Sequence, residues 1–438
     1  MSPGVRNDWI AQRGVALRGT HVVPGDKSVS HRAIMLASLA DGVSEIEGFL
    51  EGEDTRATEA IFRMMGVRIE APAPAMRVVH GVGIDGLQAP AGPLDCGNAG
   101  TAMRLLAGLL CGQRFDSVLV GDASLSTRPM RRVMAPLRRM GASIGSDDGE
   151  RPPLHIGGGA RLQGIDFTPD VASAQLKSAV LLAGLYAEGE TIVREPRPTR
   201  DYTERMLQAF GWPVEDAPGC VALRGGHRLS AADVRVPGDF SSAAFLVVAA
   251  TLVPGSDLML AAVGVHPRRT GLLEVLRAMG ADIVELDRRE AGGEVVADLR
   301  IRHAPLSGIE VPERHVADMI DEFPVLAVAA ACARGTTVIR GAGELRVKES
   351  DRIATMAAGL RTLGIEVDET ADGAAIHGGV PGGGEVDSRG DHRVAMAFAV
   401  AGQVARDAIL IRDVANVATS FPGFDAMVRQ AGFGLRTY

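Results

Sequence analysis

Apolar residues along this chain fall into two alternating kinds of run. One kind is small and almost wholly apolar: AIMLASLADG, AMRLLAGLLCG, SAVLLAGLYAEG, SAAFLVVAATLVPG, PVLAVAAACARG and VAMAFAVAG. Runs this rich in Ala and Leu, apolar on most faces, predict buried helices. The other kind mixes charge with apolar positions, ends in a hydrophobic residue and glycine, and passes into a short alternating strand. Its copies are IFRMMGVRI, PLRRMGASI, MLQAFGWPV, VLRAMGADI, LRTLGIEV and MVRQAGFGL. Their glycines are Gly66, Gly141, Gly211, Gly280, Gly364 and Gly432. Glycine just after a helical pattern predicts a C′ residue in the left-handed conformation. Each copy therefore predicts strand, buried helix, strand, outer helix, strand, over about 70 residues. Six such units are too few and too long for an ordinary solenoid. Two lobes of three units, buried helices inside and sheets around them, is the economical arrangement.

The polar residues that chemistry needs stand immediately before the buried helices, in KSVSHR, NAGTAMR, SAQLKS, GDFSS, DEFP and GDHR. Helix N-termini carry unpaired N–H groups and about half a positive charge, so they attract anions. Ser, Asp and Asn there also serve as plain N-caps. For any one string the two readings are evenly matched. Six of them, several with Arg or Lys in the first turn, point beyond capping.

Length and composition narrow the class. At 438 residues the chain is long enough for two lobes, and 46% apolar with 23% charged residues is ordinary for a globular enzyme. No apolar run reaches the roughly 18 residues of a membrane span. The start of the chain, with Asp8 and Arg13 around a mixed stretch, does not read as a signal peptide. Cys96, Cys111, Cys220 and Cys332 are widely spaced with no CxxC pairing, which predicts neither disulfides nor a zinc site and fits a reducing cytoplasm. A net charge of −8 argues against nucleic acid as main partner. Of the 46 cationic side chains only Lys27, Lys177 and Lys348 are lysine. GC-rich coding explains the arginine bias blandly. Where lysine survives that bias, a compact ammonium is the candidate requirement.

Several motifs carry candidate chemistry. VPGDKSVSHRA sets Lys27, Ser28 and Arg32 at helical spacing but lacks the pattern of a P-loop. LDCGNAGTAMR offers small residues where a ligand approaches backbone. In GDASLSTRPMRR, Pro129 keeps Arg128 extended; Arg131 and Arg132 read as a solvated face. SAQLKS brings Ser173 and Gln175 as neutral donors, and GELRVKESDR places Lys348, Glu349 and Arg352 within one turn.

Taken in order and spacing, PGDKSVSHRA, GNAGTAMR, GDASLSTRPM, SAQLKSAVLLAGL, MIDEFP, RVKESDR and GDHRVAM resemble the 5-enolpyruvylshikimate-3-phosphate synthase family, from about Val23 to Pro422. The resemblance implies a two-lobed α/β fold of six βαβαββ units, three per lobe. By analogy residues 1–21 and 242–438 form one lobe and 22–241 the other, with the active site in the cleft between them. The implied reaction moves the enolpyruvyl group of phosphoenolpyruvate to the 5-hydroxyl of shikimate 3-phosphate and releases phosphate. It needs no metal or organic cofactor. A cytoplasmic monomer, without nucleic-acid or membrane partners, is the expectation. Two anionic substrates held together require clustered cations in a dry site, which an acidic protein supplies through local fields.

Carried over position by position, Lys27, Ser28 and Arg32 would contact shikimate 3-phosphate, Lys27 lying also near phosphoenolpyruvate. Ser173, Ala174 (serine in many members) and Gln175 would join that site, Gln175 touching both substrates, with Arg200 and Tyr202 contributing. Gly100, Arg128, Arg352 and Arg393 would grip phosphoenolpyruvate. Asp321 would accept the proton of the 5-hydroxyl, Lys348 would hold that hydroxyl and the substrates, and Glu349 would protonate the methylene carbon and then help the intermediate break down. Lys27 is also implied as catalytic, and the resemblance leaves open which of Glu349, Asp321 and Lys27 moves each proton. Lys177 has no implied catalytic role and reads as structural.

Many members carry a lysine in a KTFP-like string, where this chain has ANVATSFPG with Ala418 and Thr419. The resemblance implies a cation near phosphoenolpyruvate that is missing or supplied elsewhere, with consequences for glyphosate, which competes for that space. Two rivals share the fold type. UDP-N-acetylglucosamine enolpyruvyl transferases use a loop cysteine, absent from residues 115–130, while Cys111 reads as packing. An RNA 3′-phosphate cyclase-like protein is disfavoured by the negative charge. A non-catalytic binding module is disfavoured by a complete Asp321, Lys348 and Glu349 set.

Overall fold

The computed structural model describes residues 8–438; residues 1–7, the start of the range expected for the first lobe, lie outside it. Contacts divide the chain into two compact units. One is Gly25–Val236, and the other combines the chain up to Pro24 with Pro237–Tyr438. Each unit holds three small sheets around buried helices.

The second copy displays the repeat plainly. Strand Leu94–Asp95 leads to helix Gly100–Leu110, strand Ser117–Val120, helix Arg131–Arg139 and the hairpin Ser143–Asp148 with Arg151–Gly157. In its sheet Leu94–Asp95 runs parallel to Ser117–Val120, and the other two strands add antiparallel. The third copy repeats this order with Asp166–Phe167, Glu190–Arg194, Cys220–Arg224 and Val214–Ala217. The expected βαβαββ architecture is borne out.

Two copies exchange their leading strand, and this explains where the chain passes between units. Strand Ala40–Glu47 takes its parallel neighbours from Leu229–Ser230 and Val234–Arg235, at the far end of the same unit. Strand Asp257–Gly264 takes Arg18–His21 from the N-terminal segment. The passages fall at Pro24–Gly25 and Val236–Pro237, against the expected 21–22 and 241–242. Helix Phe240–Leu252 therefore lies whole in the discontinuous unit, tied to the N-terminal segment by the Asp239 N–H donated to Pro24 O at 2.8 Å. The sixth copy is completed by Trp9–Gln12, which inserts between Ile409–Arg412 and Gly434–Thr437.

All six repeat glycines have positive φ, between +78° and +125°. At each, the glycine N–H donates to the carbonyl three residues back and the next N–H to the carbonyl five before it, at 2.8–3.1 Å. This is the Schellman arrangement, which satisfies carbonyls that a helix end leaves open. Five copies add a bond no pattern announced. The side chains of Arg63, Arg138, Gln208, Arg277 and Arg361, each three residues before the glycine, donate to the carbonyls of Ile69, Ile144, Val214, Ile283 and Val367. Each ties an outer helix to the strand that follows it.

The apolar runs form the cores. Every residue of helices Phe323–Ala331 and His392–Gly402 is buried, and both pack with Phe240–Leu252. In the other unit Gly100–Leu110 approaches helix Ala174–Gly184 so closely that a Cβ at Gly108 would lie 2.0 Å from Ala179 O. Burying one Leu, Val or Phe contributes about 1.5–3 kcal/mol, so helices apolar all round belong inside.

Candidate functional site

The polar strings do stand at the N-termini of the six buried helices, but several ends are already occupied by their own side chains. Asp26 caps Lys27–Leu39 by accepting from Val29 N, Ser173 accepts from Leu176 N, Asp239 from Ser241 and Ser242 N, and Asp391 from Arg393 N. These four helix ends therefore each have a side-chain cap, which in the first is Asp26, just before the string. Helices Gly100–Leu110 and Phe323–Ala331 have no side-chain cap.

In the unit Gly25–Val236, Lys27 opens its helix and its Nζ lies 2.9 Å from Asp54 Oδ2. Arg32, a turn later, is 4% exposed. It donates to Ser28 O (2.9 Å), Thr203 Oγ1 (2.7 Å) and Ser178 Oγ (2.8 Å), and lies 5.9 Å from the centre of the Tyr202 ring. Burial is the main cause that brings its guanidinium down to about 10, opposed by the Glu204 charge. His31 is core: its Nδ1 meets Thr58 Oγ1 at 2.8 Å, and burial holds it well below the ordinary histidine range, helped by Lys27 and Arg32.

The same unit carries the Gly100 corner. Gly100 is the first residue of its helix, and the left-handed glycine of this string is Gly97 (φ +55°). A Cβ on Gly100 would lie 2.8 Å from Arg104 Nη1 and 3.1 Å from Arg128 Nη1. Arg128 is extended, as its place before Pro129 predicts, and its Nη2 donates to Asn98 Oδ1 at 2.6 Å. Arg104 Nη1 donates to Gln175 Oε1 (3.2 Å) and Gly100 O (3.1 Å), while Gln175 Nε2 donates to Thr101 Oγ1 (2.9 Å). Ser173 is the cap and Ala174 the first residue of the Gln175 helix. Arg200 stands two residues before helix Tyr202–Ala209.

In the discontinuous unit one carboxylate is ringed by cations. Asp321, in the 3-10 segment Ala317–Glu322, lies 3.6 Å from Arg352 Nη1, 3.7 Å from Arg269 Nη1 and 3.9 Å from Lys348 Nζ. Arg352 is held from the other side by Asp391 (Nε to Oδ2, 2.8 Å) and by Glu349 (Nη2 to Oε2, 2.7 Å). Burial alone lowers the Arg352 pKa, but Asp391, Glu349 and Asp321 together hold it above its ordinary value. Arg393 Nη1 donates to Asp321 O at 3.1 Å and lies 3.5 Å from Glu322 Oε1. Buried Glu322 also accepts from Ser241 Oγ. Burial pushes its carboxyl pKa up, against Arg269 and Arg393, which pull it down.

Lys348, Glu349 and Arg352 do not share a helical turn. Lys348 is extended (φ −84°, ψ −152°) after the 3-10 segment Gly343–Val347, and the next helix begins at Arg352 behind its cap Asp351. Only Glu349 and Arg352 keep an i, i+3 contact, because the cap geometry turns the chain between them.

The family model for EPSP synthase (3-phosphoshikimate 1-carboxyvinyltransferase) matches residues 11–427. The chain belongs to this family. A 3-phosphoshikimate 1-carboxyvinyltransferase of Xanthomonas campestris pv. campestris (strain 8004) is 67% identical over 427 residues, 98% of each chain. The enzyme of the same name from Xanthomonas euvesicatoria pv. vesicatoria (strain 85-10) is also 67% identical, over 429 residues. An EPSP synthase structure from Acinetobacter baumannii superposes with a TM-score of 0.89 at 50% identity, covering 99% of this chain and 100% of that one.

The family assignment leaves the cysteine-dependent rival without support. Burial pushes the Cys111 and Cys332 thiols up to about 12. At 418–419, where many EPSP synthases are expected to carry lysine, Thr419 is buried and donates to Asn416 O at 2.7 Å, within the 3-10 segment Ala415–Thr419. Among the described residues, no helix is long and apolar enough to cross a membrane.

Sequence reasoning missed Arg269, Glu322, Asp391, Arg104 and Asn98. Four of them lie inside quoted strings (DEFP, GDHR and GNAGTAMR), so a signal was present: a second charged or amide group beside each chosen residue. Arg269, in HPRRTG, carried none.

Proposed function

We propose that this chain joins shikimate 3-phosphate and phosphoenolpyruvate, giving 5-enolpyruvylshikimate 3-phosphate and phosphate, with Asp321 as the base. The observation that carries the reading is Asp321 held among three cations at 3.6–3.9 Å. The carboxylate thus stands 3.9 Å from Lys348, the group proposed to hold the 5-hydroxyl, where a base is needed. The 5-hydroxyl, held by Lys348, gives its proton to Asp321 as its oxygen bonds to C2 of phosphoenolpyruvate. Glu349 delivers a proton to C3, making a methyl group and a tetrahedral intermediate. Glu349, now a carboxylate, takes a methyl proton back as the C–O bond to phosphate breaks at C2 and phosphate leaves, which restores the double bond.

Arg352 and Arg393, and in the other unit Arg128 with Gly100, are the phosphoenolpyruvate ligands. The uncapped helix end at Gly100, beside Arg104 and Arg128, supports this: backbone N–H groups and two guanidinium groups meet where a side chain is absent. Lys27, Ser28, Arg32, Ser173, Ala174, Gln175, Arg200 and Tyr202 take shikimate 3-phosphate, and Lys27 and Gln175 also meet phosphoenolpyruvate. The fixed Arg32 guanidinium and the neutral Gln175 amide suit a phosphate and hydroxyls respectively. A cytoplasmic monomer is the corresponding cellular form.

Phosphate release measured with both substrates, and with each alone, tests the reading. Release only when both are present supports it. Release with phosphoenolpyruvate and a UDP-sugar instead of shikimate 3-phosphate would overturn it.

A further inference from the structure

Lys177 survives the arginine bias, yet nothing in the reaction uses it. Its side chain is 2% exposed, in the middle of the first turns of helix Ala174–Gly184. Its Nζ lies 2.6 Å from Glu204 Oε1 and 3.0 Å from Glu195 Oε2. These two glutamates bracket the segment EPRPTRDYTE, which carries Arg200 and Tyr202. Glu195 passes the restraint inward: its Oε1 accepts from Thr199 N at 3.1 Å and from Thr199 Oγ1, one residue before Arg200. Glu204 is as buried as the lysine. The neighbouring residue works in parallel, since Ser178 Oγ bonds both Thr203 Oγ1 and Arg32 Nη2.

From this arrangement we infer that Lys177 is a positioning residue for shikimate 3-phosphate: it clamps both ends of residues 195–204 and so sets Arg200 and Tyr202 against Arg32. The inference rests on the proposed role of Arg200 and Tyr202 in binding that substrate. Lysine suits the position physically. One compact ammonium reaches two carboxylates in a closed space, where the planar guanidinium fork is larger and its donors point in fixed directions. A plain buried ion pair needs only one partner; here the second, Glu195, is spent on ordering a loop.

The test compares Lys177→Met, the charge-balanced double variant Lys177→Met/Glu204→Gln, Thr199→Val and Arg200→Ala by steady-state kinetics, melting and hydrogen exchange of residues 195–204. Lys177→Met is expected to raise the KM for shikimate 3-phosphate at least about 10-fold and that for phosphoenolpyruvate less than about 2-fold, with faster exchange in the segment. The double variant removes Glu204, the more deeply buried of the two carboxylates that lose the lysine, so it should recover most of the lost melting temperature while the KM stays high. Thr199→Val, which leaves the buried pair intact, should give a smaller rise of about 3-fold in the same KM. Recovery of both melting temperature and KM in the double variant would make Lys177 a charge-balancing core residue and overturn the inference. So would unchanged exchange in Lys177→Met and Thr199→Val. Faster exchange with an unchanged KM overturns the link to substrate. Arg200→Ala then says which premise failed: an unchanged KM there removes the proposed role of Arg200, and a raised one removes only the action of Lys177.

Discussion

Arg352 Nε donates to Asp391 Oδ2 at 2.8 Å, and the two side chains are 1% and 0% exposed. Asp391 also accepts from the N–H of Arg393. A single buried carboxylate therefore fixes two of the three arginines proposed to grip phosphoenolpyruvate, Arg352 through its guanidinium and Arg393 through its backbone. Removing one partner of a buried pair costs about 3–5 kcal/mol, because the other charge is left uncompensated. Asp391→Asn should lower stability by a few kcal/mol in denaturant titration and raise the phosphoenolpyruvate KM more than that of shikimate 3-phosphate. An equal rise in both constants would mean that Asp391 serves the fold alone.

The catalytic acids separate binding from chemistry. Asp321→Ala and Glu349→Ala should each abolish turnover, while calorimetry still records shikimate 3-phosphate binding to residues that neither variant touches. Either variant keeping more than about a tenth of wild-type turnover would remove that residue from proton transfer.

Lys27 is a compact donor 2.9 Å from buried Asp54. Lys27→Arg keeps the charge and spreads it over a planar fork. We expect at least about a 100-fold loss of kcat/KM, roughly 2.7 kcal/mol, with unchanged melting. Near-normal turnover would show that lysine at this position reflects no steric demand.

At Gly100 a methyl group would sit 2.8 Å from Arg104 Nη1 and 3.1 Å from Arg128 Nη1. These are ends of flexible side chains, so the helix should tolerate alanine, while space at the uncapped N-terminus shrinks. Glyphosate is longer than phosphoenolpyruvate and should be excluded more strongly. Gly100→Ala should raise the glyphosate inhibition constant by a larger factor than the phosphoenolpyruvate KM. Equal factors would point to a general loss of the corner's geometry.

A pH dependence follows at Glu51. Its hydrogen bonds from Arg77 are the main cause that holds its carboxyl down at about 2, with burial opposing. Arg77 is buried, pairs also with Glu59, and lies over the Phe49 ring at 4.5 Å. Because the folded pKa lies below the unfolded value of about 4.3, this contribution is complete above pH ~4.3 and fades as pH falls through about 2. Glu51→Gln should therefore cost stability at pH 7 and progressively less toward pH 2. A penalty independent of pH would assign the effect to shape instead of charge.

Much of this protein is written in short-range pattern. Gly66 and its five counterparts, the apolar helices and Arg128 before Pro129 all follow from signals a few residues long: a missing Cβ, a helical period, a ring that restricts its neighbour. The residue types for an anion-binding site were equally visible in KSVSHR and RVKESDR. Partnership was not. Arg352 meets Asp391 39 residues away, Ser241 meets Glu322 81 away and Arg32 meets Ser178 146 away. Nothing local distinguishes these from capping or solvated charges.

The strand exchange that gives Arg18–His21 to one sheet and Val234–Arg235 to another was beyond local reading for the same reason. Sequence by itself determined the repeat, the helix ends and the stock of charged groups, because backbone sterics and periodic burial act within a few residues. Tertiary structure decided which carboxylate holds which cation. A buried charge must find its counterion wherever the packed fold brings one within reach, and distance along the chain does not enter that energy.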